Sequence, residues 1–167
     1  MRLVNKINKG FTLVELLVVM AILGVLVTLV ASGFRTAQMR GRDAQRKSDL
    51  KQLANSLELL YSDYNEYPAA ISNQIGACPF VSGAGTACAW GVSEMTDNKT
   101  VYFKEVPADP SRFQVYFYRV PDTAQQKFQL FARLENSQDA DIITTPYSCG
   151  DELCNFAITS QNTNAVE

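Results

Sequence analysis

The feature that most constrains this chain is an apolar run near its N-terminus. Residues 16–34 contain no charged side chain, and as a helix these 19 residues would measure about 28 Å, close to the thickness of the hydrocarbon core of a bilayer. The run therefore predicts one membrane-spanning helix. Glu15 directly precedes it. An ionised carboxylate in hydrocarbon costs several kcal/mol, so Glu15 either reaches water in the headgroup zone or has a partner or a function.

The charge of the chain is divided between a basic start and an acidic remainder. Arg2, Lys6 and Lys9 are the charged residues among the first ten. The whole chain has a formal net charge of −2, which leaves −5 for residues 11–167. Binding to phosphate backbones requires clustered, exposed Lys and Arg. The bulk charge therefore does not favour nucleic acid as a partner, while leaving room for a local basic patch.

The composition also disfavours an enzyme. The chain contains no histidine, which removes the commonest general base and the commonest metal ligand. No pair of carboxylates stands in a recognisable cleft motif, and the stretch GAGTACAWG lacks the Lys-Ser/Thr of a phosphate-binding loop. We therefore expect a protein without catalytic residues.

The stretch KGFTLVELLVVMAILGVL carries several of these features in a fixed order. It resembles the class III signal of type IV pilins and pseudopilins, including the major pseudopilin of type II secretion systems. The resemblance implies that a prepilin peptidase in the membrane cuts between Gly10 and Phe11 and then methylates the new amino group of Phe11. A glycine has no side chain, which suits an extended segment in a narrow protease groove. The resemblance also implies that Glu15 pairs with the N-terminal amine of a neighbouring subunit, which gives its charge a partner.

The same resemblance implies a structural role. The subunit would be a single-pass membrane protein before assembly, with its N-terminus cytoplasmic and its head extracytoplasmic. It would polymerise with itself and with other pilin-like subunits on an inner-membrane assembly platform, and the filament would be periplasmic or on the cell surface. A type IV pilus, a secretion pseudopilus and a DNA-uptake (competence) filament remain open. The competing interpretation is a signal-anchored extracytoplasmic binding domain that keeps its N-terminus and does not polymerise.

Beyond the apolar run, the periodicity predicts that the helix continues. Apolar residues recur at steps of three and four, as on one face of an amphipathic helix, and Pro68 follows the last of them. These residues are Leu50, Leu53, Ala54, Leu57, Leu60, Tyr61 and Tyr64. We expect one helix over residues 12–64. The predicted organisation is a leader (1–10), a membrane-spanning and filament-core half (11–34), an amphipathic half (35–66) and a globular head (67–167).

A basic cluster follows the apolar run on the same predicted helix. Its members are Arg35, Arg40, Arg42, Arg46 and Lys47. Three interpretations are open for these cations. They contact lipid headgroups, they contact acidic faces of neighbouring subunits, or they form a solvated helix face.

The remainder of the chain predicts a small antiparallel sheet. Four strand candidates cover residues 100–107, 113–120, 127–135 and 155–160, and PDTAQQ supplies a hairpin turn between the second and the third. In the second, Tyr116 and Tyr118 face away from Val115 and Phe117. The third places one set of residues on one face, namely Phe128, Leu130, Ala132 and Leu134. Three or four strands packed on the helix give an α+β protein. VPADPSRFQVYFYRV and FQLFARLEN are similar to segments of the major pseudopilins, which implies the pilin fold.

Four cysteines lie in the last 90 residues of the chain, at Cys78, Cys88, Cys149 and Cys154. They allow three disulfide connectivities, of which sequence proximity favours Cys78–Cys88 and Cys149–Cys154. The spacings form no CxxC pair and no histidine is present, so disulfides are favoured over a zinc site. Disulfides indicate an oxidising compartment. The first pair would tie the long loop predicted for residues 69–100.

The sequence also raises the question of whether the chain binds a metal ion. Secretion pseudopilins that this chain resembles carry an acidic calcium-binding loop near the C-terminus, and the comparable stretch here is NSQDADIITTPYSCGDELCN. Asn136, Asp139 and Asp141 are candidate calcium ligands, although three such residues are also typical of a solvated loop. We expect no cofactor, with a Cys149–Cys154 disulfide holding this loop in place of the ion.

Overall fold

The computed structural model describes residues 10–83 and 85–165, without the side chains of residues 29–32. Apart from Gly10, the predicted leader with its three cations lies outside the described residues. Contacts divide the chain into two units, Met1–Gln38 and Met39–Glu167.

One long helix, α1, contributes to both units. It spans Leu13–Tyr64, or 52 residues, and confirms the predicted helix to within one residue. No proline interrupts it. It ends where Asn65 takes a left-handed φ of 56° and donates its backbone N–H to the carbonyl of Tyr61 at 2.7 Å. This is a common way for a helix to close its C-terminus.

In the first unit the described side chains are all exposed. They include large apolar residues such as Leu17, Val25 and Phe34. The most apolar window of α1 has no buried residue, and the helix is long and apolar enough to cross a membrane. Such a surface is suited to lipid or to neighbouring apolar helices rather than to water.

The second unit combines the rest of α1 with three small antiparallel sheets. The largest has the strand order β5-β6-β7, and the other two are the pairs β1–β2 and β3–β4. Their bounds are β1 Ala70–Ile71, β2 Gln74–Ile75, β3 Met95–Thr96, β4 Val101–Phe103, β5 Phe117–Arg119, β6 Gln129–Ala132 and β7 Phe156–Thr159. The α+β pilin fold expected from the sequence is therefore present.

All four predicted strands form, but each is shorter than the predicted range. β5 and β6 form the predicted antiparallel hairpin, in which Tyr118 lies opposite Leu130, and β7 lies at the edge of the sheet. The candidate at residues 100–107 does not join this sheet, because its strand β4 pairs with β3 instead. Strands β1, β2 and β3 were not predicted from the sequence. Each of these strands has two residues, which is too short for an alternating pattern.

The core of the second unit lies between α1 and the sheets. The predicted stripe of α1 supplies Leu50, Leu53, Leu57 and Leu60, all without exposed surface, and they share one cluster with β5 and β6 residues. Fully burying a leucine contributes about 1.5–3 kcal/mol. Tyr118 of β5 and Tyr116 just before it are buried, and the hydroxyl of Tyr118 donates to the carbonyl of Pro68 at 2.8 Å. A buried tyrosine needs such an acceptor.

Strand β6 is buried on both faces. The predicted face of Phe128, Leu130, Ala132 and Leu134 lies in the main core. On the opposite face Phe131 forms a second cluster with the Cys149–Cys154 disulfide, whose S–S bond is 2.09 Å. The C-terminal segment therefore covers the side of the sheet that points away from the helix.

The loop before β3 is tied as predicted. Cys78 and Cys88 form a disulfide with an S–S bond of 1.93 Å, and Cys88 is buried. The ring of Trp90 meets that of Tyr116 edge-on, with centroids 5.8 Å apart. The tryptophan thus packs the loop on the core.

Candidate functional site

The start of α1 holds the residues that the sequence singled out. Gly10, Phe11 and Thr12 precede the helix, and Phe11 is 80% exposed. The peptide bond between Gly10 and Phe11 therefore lies in non-helical, exposed chain. A protease that binds its substrate in an extended form requires such a segment.

Glu15 is bound by the first turn of its own helix. Its Oε2 accepts hydrogen bonds from the backbone N–H of Thr12 at 2.9 Å and from the Thr12 hydroxyl at 2.6 Å. The backbone N–H of Glu15 points at Thr12 Oγ1 at 3.3 Å. This reciprocal arrangement is a capping box, in which a Thr and a Glu three residues later satisfy free N–H groups at a helix start. The carboxylate thus has hydrogen-bond donors within the subunit but no opposite charge among the described residues.

The sequence contains the signal for this cap, since Thr12 and Glu15 match the pattern Ser/Thr-x-x-Glu. The resemblance implies pairing between subunits for Glu15 and does not predict this local role. The two roles are compatible, because an ionised carboxylate has about four acceptor sites and the cap with Thr12 uses Oε2 alone.

Arg46 lies at the centre of an ion-pair network in the second unit. Its side chain is fully buried, with Nη1 at 2.7 Å from Asp43 Oδ1, Nε at 2.7 Å from Asp109 Oδ2 and Nη2 at 2.9 Å from Glu135 Oε1. The network connects α1, the segment before β5 and the segment after β6. Burial alone lowers the pKa of Arg46, but the hydrogen bonds and charges of Asp109, Glu135 and Asp43 outweigh it and raise that pKa.

Glu135 is shared between two arginines. Its Oε1 accepts from Nε of Arg42 at 2.8 Å, and Nη2 of Arg42 contacts Oε2. Together with Arg46, these contacts lower the pKa of Glu135 to about 2, the hydrogen bond from Arg42 being the largest cause. The carboxylate therefore stays charged at all but strongly acidic pH.

Asp43 secures the chain after β6. Its two carboxylate oxygens accept the backbone N–H groups of Glu135 at 2.9 Å and Asn136 at 2.8 Å, in addition to the Arg46 contact. A buried carboxylate with three donors is fully compensated. Asp43 thus fixes the start of the segment that holds the candidate calcium ligands.

Two of the three candidate calcium ligands already bind a lysine. Nζ of Lys47 lies 2.6 Å from Asp139 Oδ1 and 2.7 Å from Asp141 Oδ2, while Asn136 Oδ1 accepts the backbone N–H of Gln138 at 3.3 Å. Calcium requires six to eight oxygen ligands, and among the described residues no three Asp, Glu, Cys or His side chains converge on one point. The residues at this loop do not fit a calcium site.

The basic cluster therefore divides in two. Arg42, Arg46 and Lys47 form ion pairs inside the second unit, an arrangement that the three interpretations did not include. Arg46 is fully buried, so none of the three applies to it, whereas Arg42 and Lys47 remain partly exposed. Arg35 and Arg40 are exposed. The internal pairs were missed because their partners lie more than sixty residues further along the chain.

Comparison with known proteins identifies the family. Residues 5–31 match the prokaryotic N-terminal methylation motif. The chain is also 30% identical to the type II secretion system core protein G of Pseudomonas aeruginosa over 116 residues, which cover 70% of this chain and 76% of that protein. This chain belongs to the family of type IV pilins and type II secretion pseudopilins.

Further relatives of this pilin-family chain come from both branches. It is 34% identical over 110 residues to the type II secretion system core protein G of Escherichia coli, covering 66% of this chain and 70% of that protein. It is 35% identical over 75 residues to the type IV major pilin protein PilA of Myxococcus xanthus, which covers 45% of this chain and only 34% of that protein. No solved structure matches the chain.

Proposed function

We propose that this chain is the structural subunit of a type IV pilus-like filament or secretion pseudopilus. It is cleaved between Gly10 and Phe11 by a prepilin peptidase, methylated on the amine of Phe11, and polymerised. The observation that carries the proposal is the first unit of the chain, an exposed apolar helix that begins with a capped but unpaired carboxylate at Glu15. The chain's membership of the pilin family supports the same conclusion.

Glu15 favours the association of this helix with the helix of a neighbouring subunit. Its Oε2 is hydrogen-bonded by Thr12, but hydrogen bonds leave the negative charge uncompensated in lipid, where it is costly. The methylated amine of a neighbouring Phe11 would supply the missing positive charge. Lipid and helix surfaces are equally apolar, so the charge pair rather than the hydrophobic effect would set the axial register of neighbouring helices.

The cellular context follows from the same parts. Before assembly the subunit crosses the inner membrane once, with its N-terminus in the cytoplasm and its disulfide-bonded head on the oxidising side. Its partners are further copies of itself, other pilin-like subunits, the peptidase and an inner-membrane assembly platform. The role is structural, and no residue is assigned to catalysis.

Among filament types, the secretion pseudopilus has the broader support. The matches to type II secretion proteins cover about two thirds of this chain, whereas the match to the pilin covers 45%. A type IV pilus is the second candidate, because calcium is expected of secretion pseudopilins and no three Asp, Glu, Cys or His side chains converge on one point among the described residues of the head. Deletion of the gene separates the two, since loss of exoprotein release indicates a pseudopilus and loss of surface fibres indicates a pilus.

Mass spectrometry of the N-terminus of the mature protein tests the proposal directly. The expected N-terminal peptide begins at Phe11 and carries one additional methyl group on its amine. A Gly10→Val variant, in which a branched side chain blocks the extended substrate conformation, should retain the leader. Functional protein that begins at Met1 would refute the proposal and favour the anchored binding domain.

A further inference from the structure

The segment that follows β6 is attached to α1 at two places, at its beginning by Asp43 and further along by Lys47. Lys47 donates through Nζ to Asp139 Oδ1 at 2.6 Å and to Asp141 Oδ2 at 2.7 Å. The lysine is partly buried, and its ammonium lies 5.5 Å from the centroid of the Phe156 ring. The ammonium is thus held between two carboxylates on one side and an aromatic face on the other.

The two carboxylates are arranged around this ammonium. Asp139 Oδ1 accepts the backbone N–H of Asp141 at 3.0 Å as well as the lysine, so the turn and the ion pair share an oxygen. The hydrogen bond from Lys47 is the largest cause of the lowered pKa of Asp139. For Lys47, burial lowers the pKa, but the hydrogen bonds to Asp139 and Asp141 outweigh it and raise that pKa. Lys47 and Asp139 are therefore both charged at neutral pH.

An ammonium in this position competes directly with a metal ion. The two Nζ–O distances of 2.6 and 2.7 Å are close to the 2.3–2.6 Å at which calcium binds oxygen. A calcium ion using the same two carboxylates would occupy nearly the same point as Nζ. The lysine would have to leave, because two cations at that separation repel each other strongly in a partly buried site.

We propose that Lys47 is the built-in cation of this segment, and that it takes the structural place that a divalent ion would hold and excludes that ion. Asp43 fixes the beginning of the segment through the backbone N–H groups of Glu135 and Asn136. Lys47 fixes it at Asp139 and Asp141. The Cys149–Cys154 disulfide packs on Phe131 behind β6, and the chain at Cys154 accepts a hydrogen bond from the Thr145 hydroxyl, so the disulfide and Lys47 hold different parts of the segment. The head therefore keeps its conformation at any external calcium concentration.

The first test measures the wild-type protein. The full-length subunit in detergent micelles is melted with 5 mM calcium chloride or 5 mM EDTA at matched ionic strength, with Trp90 fluorescence as the signal. The expected difference in Tm is below about 1 °C. A ligand present at about a hundred times its Kd would raise the Tm by several degrees. A shift of that size with calcium would overturn the proposal.

The second test concerns the lysine itself. Lys47→Ala is compared with Lys51→Ala, since Lys51 is exposed one turn further along α1 and makes no ion pair among the described residues. Amide hydrogen exchange in residues 137–142 should accelerate at least tenfold in Lys47→Ala and remain unchanged in Lys51→Ala. Equal exchange in the two variants would show that Lys47 does not hold the segment. If Lys47→Ala fails to fold while Lys51→Ala folds, the calcium titration of the wild type still decides the proposal.

Discussion

The two units of this chain differ in how far their charged groups are compensated by partners of opposite charge. In Met39–Glu167, Arg46 has three carboxylate partners, and Asp43 has two backbone donors in addition. In Met1–Gln38, Glu15 has only the cap formed with Thr12 among the described residues, and the described apolar side chains are exposed. The charges of the second unit are compensated within it. If the proposed function holds, assembly depends on the first part of α1 and stability of the head on the second part.

The largest expected effect breaks assembly without affecting the head. Glu15→Ala should reduce filament formation by more than tenfold, because the neighbouring amine loses its partner in an apolar environment. The Tm of the head should not change, since the hydrogen bonds of Glu15 are to Thr12 of the first unit. Filament yield in sheared fractions and thermal melting measure the two properties.

Glu15→Gln separates the charge from the cap. Glutamine also serves at the third position of a capping box, but it has no charge to pair with an amine. If charge pairing drives assembly, Glu15→Gln should be as defective as Glu15→Ala. Normal filaments in Glu15→Gln would show that the cap alone is required. Glu94→Ala, at an exposed glutamate of the head, is the control for a general loss of negative charge.

The next largest effect is on the stability of the head. Arg46→Leu leaves Asp43, Asp109 and Glu135 without their buried cation, and breaking one side of a buried ion pair costs about 3–5 kcal/mol. Arg40→Leu, at an exposed arginine on the same helix, should change the free energy of unfolding by less than about 0.5 kcal/mol. Chemical denaturation in detergent compares them. Similar losses in both variants would mean that the network is not what stabilises this unit.

Two neighbouring leucines test how sharply the buried face of α1 is defined. Leu57 has no exposed surface, whereas Leu59 is 53% exposed. Leu57→Ala should destabilise the head by about 2–5 kcal/mol, because it removes buried methyl groups and leaves a cavity. Leu59→Ala should have an effect of less than about 0.5 kcal/mol on folding. A large loss from Leu59→Ala would place the core on a different face of the helix.

The smallest expected effect is a decrease in the free energy of unfolding at acidic pH. The pKa of Glu135 is lowered from 4.5 to about 2 in the folded chain. A carboxyl group with a lowered folded pKa binds protons more tightly when unfolded, so its contribution is present above about pH 4.5 and is lost as the pH falls towards 2. The wild type should therefore lose on the order of 2–3 kcal/mol over this interval. In Glu135→Gln this part of the acid dependence should be missing, and an unchanged profile would contradict the assignment.

Local patterns were sufficient to predict the helix, the β5–β6 hairpin and the disulfide pairing. The stripe that ends at Leu60 repeats over several turns, the two strands flank a recognisable turn, and each cysteine pair is close in sequence. The Thr12–Glu15 cap was also predictable, because its pattern covers only four residues. The resemblance to a filament family instead implied a role for Glu15 between subunits.

The ion-pair network could not be predicted in this way. Arg46 and Asp109 are 63 residues apart, and Lys47 and Asp139 are 92 residues apart. A basic cluster on a helix has the same sequence pattern whether it is solvated or buried, so only the folded chain distinguishes Arg46 from Arg40. The strands of two residues were missed for a related reason, since they are defined by pairing partners rather than by periodicity.

The double burial of β6 has a consequence for mutational tolerance. An ordinary surface strand accepts substitutions at every second position, because one face meets water. In Gln129–Ala132 each residue is buried, so a saturation library of this strand should show a continuous block of intolerance instead of an alternating one. The neighbouring residues Ser148 and Leu153, which are exposed on the disulfide hairpin that covers β6, should accept many substitutions. Variation among such filaments would thus be concentrated on the hairpin, and the strand beneath it would be held nearly constant.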